Sequence, residues 1–365
     1  MTAQASWLSE NAERKARWAH LTGKKIDPND RIDRPNVRIM TEVLLDNMRG
    51  YLAEDTVTTG MVTPFTTFAL PLVRRVFPRL LANDLFSVQP MTQPTGKIFF
   101  FDTKYTGGNR RDVQANFNKA YAATGEEAAV PELSLAISSQ AVEAETKKIK
   151  AKYTLESQQD LRAYHGLDAE PELMAACADE IVREIDRTML DDVLANVPGA
   201  NIFTFNKATP TAGPYSTIDP KIYKRTLWEK IVDANNAIFK KRYVNAAWLV
   251  AGSDFATWLE KLDEFTANPN GDPAQWSIIQ GAHYFGTLGS RWTVFKDPWL
   301  DADTALMGYK GPTFMHAGYV YSPYIPIFTT PPLTDPHDFT TRRGMMSRYA
   351  RTMVIPEMYA SIELV

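Results

Sequence analysis

The sequence predicts an α+β protein, and three observations carry that reading. Residues 168–194 keep apolar side chains at three- and four-residue steps, the spacing of one buried helix face. Residues 148–155 alternate polar and apolar, the period of a half-buried strand. Between 97 and 152 the chain leaves as a strand and returns as a strand, with no core-forming segment in between.

The bulk composition is that of an ordinary folded protein. The chain has 365 residues, 44% hydrophobic and 23% charged, which excludes a disordered chain, a collagen-like chain and a coiled-coil rod. Its net charge of −3 lacks the positive excess of a bulk nucleic-acid binder. The single cysteine, Cys177, excludes an intrachain disulfide framework and a multi-cysteine zinc site. No apolar run reaches the ~18 residues of a membrane span. The charged N-terminus has no signal-like apolar region, so a soluble protein made in a reducing cytoplasm is expected.

In chain order, residues 1–64 read as an N-terminal arm. Val37, Met40, Val43, Leu44, Met48 and Leu52 mark a helix over 37–52, which is too small to stand alone. It packs either on its own domain or on a neighbouring subunit. Residues 65–84 suggest a helix kinked at Pro71 and Pro78. Its basic group, Arg74, Arg75 and Arg79, is either a solvated face or a protein contact. The stretch 97–152 reads as a long two-stranded ribbon that lies on something else, because an isolated ribbon is marginal in water.

The helix 168–194 carries Leu173, Met174, Cys177, Ile181, Ile185, Met189 and Val193 on one face, with Asp168 as its expected cap. Its other face is acidic, with nine carboxylates against Arg183 and Arg187. The ribbon is mildly basic, its bases concentrated over 147–152, so a neighbour's ribbon docking on this helix is favoured in charge. Residues 200–365 read as α+β. Helices are expected over 221–241 and 253–264, the second capped by Ser253 or Asp254. Strands are expected over 246–251, 291–296, 304–309 and 318–328, with a closing strand near 345–354.

A search for catalytic constellations finds none. His20, His165, His283, His316 and His337 share no metal-ligand spacing. There is no phosphate-cradling loop ending in Gly-Lys-Ser/Thr. Gly252-Ser253-Asp254 lacks the Gly-x-Ser-x-Gly of a nucleophile turn. No catalytic, cofactor or metal residue is therefore assigned. Were the chain an enzyme, His283 and Ser253 would be the first residues to test.

A series of short blocks stands out along the chain. They are Leu72-Val73-Arg74-Arg75-Val76-Phe77-Pro78, Ser87-Val88-Gln89-Pro90-Met91, Pro94-Thr95-Gly96 and Lys150-Ala151-Lys152-Tyr153-Thr154-Leu155-Glu156. They continue through Gln159 to Gly166, Asp168-Ala169-Glu170 and Glu184-Ile185-Asp186-Arg187. The last are Gly308-Tyr309-Lys310-Gly311-Pro312, Ala317 to Tyr324 and Ser347-Arg348-Tyr349. Together these blocks resemble the major capsid proteins of contractile-tailed bacteriophages, in whose order they run over about 70–350, most of the chain.

The resemblance implies the Hong Kong 97-type capsid fold. On that reading 1–64 is the N-terminal arm and 97–152 the extended loop. The peripheral domain would comprise 65–96, 153–220 with its spine helix 168–194, and the closing strands 336–365. The axial domain would be 221–335. Inter-subunit contact candidates are Arg74, Arg75, Arg110, Arg111, Lys148, Lys150, Lys152, Glu180, Glu184 and Asp191. Some relatives lose their N-terminal segment after Leu-x-Glu; Leu52-Ala53-Glu54 and Leu8-Ser9-Glu10 fit, with Glu54 the better placed. The chain starts at Met1, so it is expected to be the uncut form. The ribbon lacks the large insertion domain of the best-known members.

The implied function is structural. Copies of the chain would form hexamers and pentamers of an icosahedral head, meeting portal, scaffold and possibly decoration proteins. The head would enclose double-stranded DNA without sequence-specific binding, and no membrane or cofactor is involved. The chain would be found in the virion, and in the host cytoplasm during assembly. An encapsulin-type enzyme compartment and a cytoplasmic enzyme are the alternatives.

Overall fold

The computed structural model describes residues 13–19, 22, 35–54, 77, 80–105, 133–166, 168–207, 220–267, 283–311, 318–335 and 337–365. Arg74, Arg75, Arg110 and Arg111, most of the expected helix 65–84 and the ribbon tip lie outside them.

The N-terminal helix α1 runs Pro35–Glu54. Val37, Thr41, Leu44, Leu45 and Met48 recur on one side of it and are buried, as a helix with one sequestered stripe requires. The stripe joins the core of its own chain. Asn47 ties it further, donating to the carbonyls of Met91 at 2.8 Å and Tyr324 at 3.4 Å. The helical residues 13–19 hold to α1 through Asp46, which accepts from Arg14, Arg17 and Trp18 at 2.8–2.9 Å.

After the short helix α2 (Ala82–Leu85), β1 (Ser87–Val88) pairs in parallel with a strand from far along the chain. Strands β2 (Thr95–Tyr105) and β3 (Leu133–Glu143) then pair antiparallel over their whole lengths, as a sheet of two. Strand β4 (Glu145–Thr154) follows after one residue, Ala144, whose N–H donates to the Pro94 carbonyl at 2.8 Å. The expected ribbon 97–152 thus divides. Residues Leu133–Glu143 pair with β2, and from Glu145 the same extended chain turns into the main sheet.

Helix α3 (Leu155–His165) is capped by Thr154, whose hydroxyl accepts from Ser157 N–H, and ends on left-handed Gly166. Helix α4 (Ala169–Ala195) is the expected long helix, about 40 Å at 1.5 Å per residue. Met174, Ala178, Ile181, Ile185, Met189, Leu190 and Val193 form its buried stripe. Asp168 occupies the N-cap position but makes no cap bond; its carboxylate accepts instead from Arg162.

The rest of the chain alternates between two sheets. Strand β5 is Ile202–Phe205, α5 is Pro220–Arg242, β6 is Trp248–Ala251 and α6 is Ser253–Glu260. Strands β7 (Phe265–Ala267), β8 (His283–Leu288), β9 (Trp292–Lys296) and β10 (Thr304–Gly308) follow. The last are β11 (Tyr319–Thr329), β12 (Leu333–Thr334), β13 (Thr340–Met353) and β14 (Tyr359–Leu364). A seven-stranded mixed sheet has the order β5-β14-β10-β6-β9-β8-β7. A five-stranded sheet has the order β1-β11-β13-β12, with β4 along the other edge of β13.

Sheet membership does not follow chain order. Strand β11 is in the five-stranded sheet, whereas β5 and the terminal β14 are in the seven-stranded one. Helix α6 also begins differently: Gly252 is the N-cap, and neither Ser253 nor Asp254 caps with its side chain. The N–H groups of Asp254 and Phe255 donate to the carbonyl of Ala302, which satisfies the helix start from outside. A Cβ on Gly252 would stand 2.1 Å from the Asp301 carbonyl oxygen, so that close approach requires glycine.

The five-stranded sheet packs into one core that also takes Trp248, Val250, Leu306 and Tyr359 from the seven-stranded sheet, whereas the alternate residues Leu249, Ala251, Ala305, Met307 and Ala360 pack into a second core. Within the first core the two sheets meet at an aromatic group made of Phe86, Trp248, Tyr319 and Tyr359, with ring centroids 4.9–6.4 Å apart. Trp248 Nε1 donates to the carbonyl of Leu85 at 3.0 Å.

Candidate assembly interface

The two-stranded sheet β2/β3 is the first candidate surface. It is paired along 11 residues per strand, roughly 37 Å at 3.4 Å per residue. Phe99 on it is 48% exposed. Two strands do not bury enough to be stable alone, so the ribbon needs a surface beyond its own two strands.

The acidic helix is the second. Three of its candidate residues are engaged within the chain: Glu180 with Arg183, Asp191 with Arg187 at 2.9 Å, and Glu184 with Lys147 at 3.0 Å. One base that reaches this helix is therefore the chain's own Lys147, on the β4 face that also carries Ile149, Ala151 and Tyr153. Lys148, Lys150 and Lys152 take the opposite face of β4 and are exposed. Glu54 is the last residue of α1.

Between β4, α3 and α4 lies an open groove of about 650 Å³, lined largely by apolar atoms of Tyr153, Leu161, Leu173 and Ala176. It holds no convergent set of nucleophile, base and donor.

Many residues of the resembling blocks turn out to join one element to another. Asp186 of α4 accepts from the N–H groups of Leu81 and Ala82 at the start of α2. Burial raises its carboxyl from 3.8 to about 7; those two hydrogen bonds lower it and the nearby Asp297 raises it. Lys310 donates to the carbonyl of Asn83. Tyr319 donates to Asp192 at 2.9 Å, and burial, then the Asp192 charge, push its phenol up. Arg343 is buried between Glu170 and the carbonyl of Thr330. Gly308 and Gly318 leave the space that Trp248 and Tyr359 fill. The contacts of Asp186, Lys310, Tyr319 and Glu170 were not readable from the sequence, because each joins residues more than 100 positions apart.

The residues named for an enzyme reading lie on separate elements. Ser253 is the first residue of α6 and its hydroxyl plays no capping part. His283 opens β8, in register with Lys296. Among the described residues no group of three or more His, Cys, Asp or Glu is placed to hold a metal ion, and no helix is long and apolar enough to cross a membrane.

Comparison with known proteins places these surfaces in context. A family model described as "Major capsid protein Gp23" matches residues 62–128 and 117–364. The major capsid protein of Vibrio phage KVP40 is 25% identical over 425 aligned positions, which cover 85% of this chain and 80% of that protein. That of Enterobacteria phage T4 is 28% identical over 232, covering 60% of this chain and 44% of the relative. This chain thus spans less than half of the T4 protein in that match. Among solved structures, the capsid of Myoviridae phage XM1 superposes with a TM-score of 0.47 at 9% identity, covering 77% of this chain and 90% of that one.

Proposed function

The chain belongs to the Gp23 major capsid protein family, and from that premise we propose how its surfaces build a shell. As a capsid protein it is a structural component of the virion, not an enzyme, and it associates with copies of itself. The proposed building blocks are hexamers and pentamers closing into an icosahedral head around double-stranded DNA. Portal, scaffold and possibly decoration proteins are the further partners, and assembly would take place in the host cytoplasm.

The two-stranded ribbon carries this reading. A ribbon of this length, with Phe99 half out of solvent contact, gains stability by lying on a neighbouring subunit. Many copies of one weak contact then add up, because each bond already formed raises the effective concentration of the next. The N-terminal arm and the axial domain, 221–335, would supply the remaining contacts.

The register offers a clean test. Gly96 and Val142 are paired at the base of the ribbon, so their Cα atoms are about 4.5–5.5 Å apart. Residues 97–141 can be replaced by Asn-Gly, a turn that closes such a pair. We expect the shortened chain to fold and to lose shell formation in electron micrographs. Normal shells from the ribbonless chain would remove the ribbon from the mechanism.

A further inference from the structure

The face of β4 and β13 that points away from α4 is basic, and nothing in shell closure by the ribbon uses it. Register places Lys152 opposite Arg342, Lys150 opposite Gly344, Lys148 opposite Met346 and Thr146 opposite Arg348. Paired residues share a face, so five cations stand on one sheet surface. No carboxylate occupies a position between them on either strand. Lys148, Lys150 and Lys152 are exposed. Arg342 leans on Asp335 at 3.3 Å, and Arg348 lies over the ring of Tyr324 at 5.5 Å.

The spacing suits a repeating anion. Alternate lysines on a strand stand about 6.8 Å apart, and the two strands about 4.8 Å. Three lysines therefore span about 14 Å, over which a DNA duplex presents about eight charges. A second copy of the chain matches this strip less well. The acidic face of α4 is largely matched by its own bases, since Glu180, Glu184 and Asp191 pair with Arg183, Lys147 and Arg187.

We infer that the β4/β13 face is a binding surface for the phosphate backbone of duplex nucleic acid, with Lys148, Lys150 and Lys152 as its principal contacts. The inference builds on the shell reading, in which a duplex is enclosed. It also explains how a chain of net charge −3 holds nucleic acid locally without a basic wall. Contacts of this kind go to phosphate and carry no sequence information.

The test uses the full chain before assembly and a fluorescently labelled random-sequence DNA duplex, titrated by anisotropy between about 50 and 200 mM salt. The triple variant Lys148→Glu, Lys150→Glu, Lys152→Glu should bind at least about tenfold more weakly and lower the salt slope by about three, at 0.9 per phosphate contact. The triple Lys→Arg variant should bind like the wild type, which separates charge from loss of fold. No duplex binding by the wild type, an unchanged slope in the Glu variant, or lost binding in the Arg variant would overturn the inference. So would duplex binding unchanged while shells are lost, which would assign the strip to a second copy of the chain. Because the titration precedes assembly, its failure leaves the shell reading untouched.

Discussion

The carboxylate of Asp186 accepts the backbone N–H of Leu81 at 3.2 Å, joining the long helix to the segment that leads into the ribbon. Burial sets its proton affinity, with a folded value near 7 against 3.8 for the free side chain. Between those values the folded state holds the proton more tightly than the unfolded state. The contribution of this group to stability is therefore full below about pH 4 and declines as pH rises towards 7. Asp186→Asn removes that dependence. Urea unfolding of the unassembled protein at pH 5 and pH 7.5 should show the stability advantage of wild type over variant shrinking at the higher pH. An advantage that is constant or grows with pH would contradict the assignment.

Gly318 faces the ring of Tyr359. A Cβ there would come 2.6 Å from Cε2 and 2.8 Å from the hydroxyl oxygen. The ring is buried beside Phe86 and Trp248 and has no room to withdraw. Gly318→Ala should cost about 1–3 kcal/mol through overpacking. Gly199→Ala, where no atom lies within 4 Å, should stay within about 0.5 kcal/mol of wild type. Chemical denaturation of the two variants makes the comparison.

Trp248, on the seven-stranded sheet, packs into the core of the five-stranded one. Trp248→Phe keeps an aromatic ring but leaves the buried carbonyl of Leu85 without its 3.0 Å donor. The unpaired acceptor should cost about 1–3 kcal/mol. Trp299, 57% exposed, provides the contrast, and Trp299→Phe should be close to neutral. Equal effects at the two sites would mean that the indole hydrogen bond does not stabilise the junction.

Much of the architecture was legible because it rests on local periodicity. The stripe on α4 and the alternation on β4 can be read in the sequence, and both elements form where expected. Strand partners were not legible. Lys148, Lys150 and Lys152 read as the return strand of a ribbon, because alternation reports a half-buried strand and not the strand beside it. The ribbon's true return, Leu133–Glu143, is rich in Ser and Ala, residues that carry little strand signal. Likewise Ser253 and Asp254 have the chemistry of a cap, but the Ala302 carbonyl, 48 positions from Asp254, does that work. The acidic helix forms where expected; that Lys147 of the same chain reaches it could emerge only from the fold.

Self-association into a closed shell is the central claim, and the mass of the purified chain in solution tests it most directly. Light scattering combined with negative-stain imaging, under conditions that permit assembly, should show closed particles, or five- and sixfold rings on the way to them. A homogeneous species of single-chain mass under every such condition would contradict it.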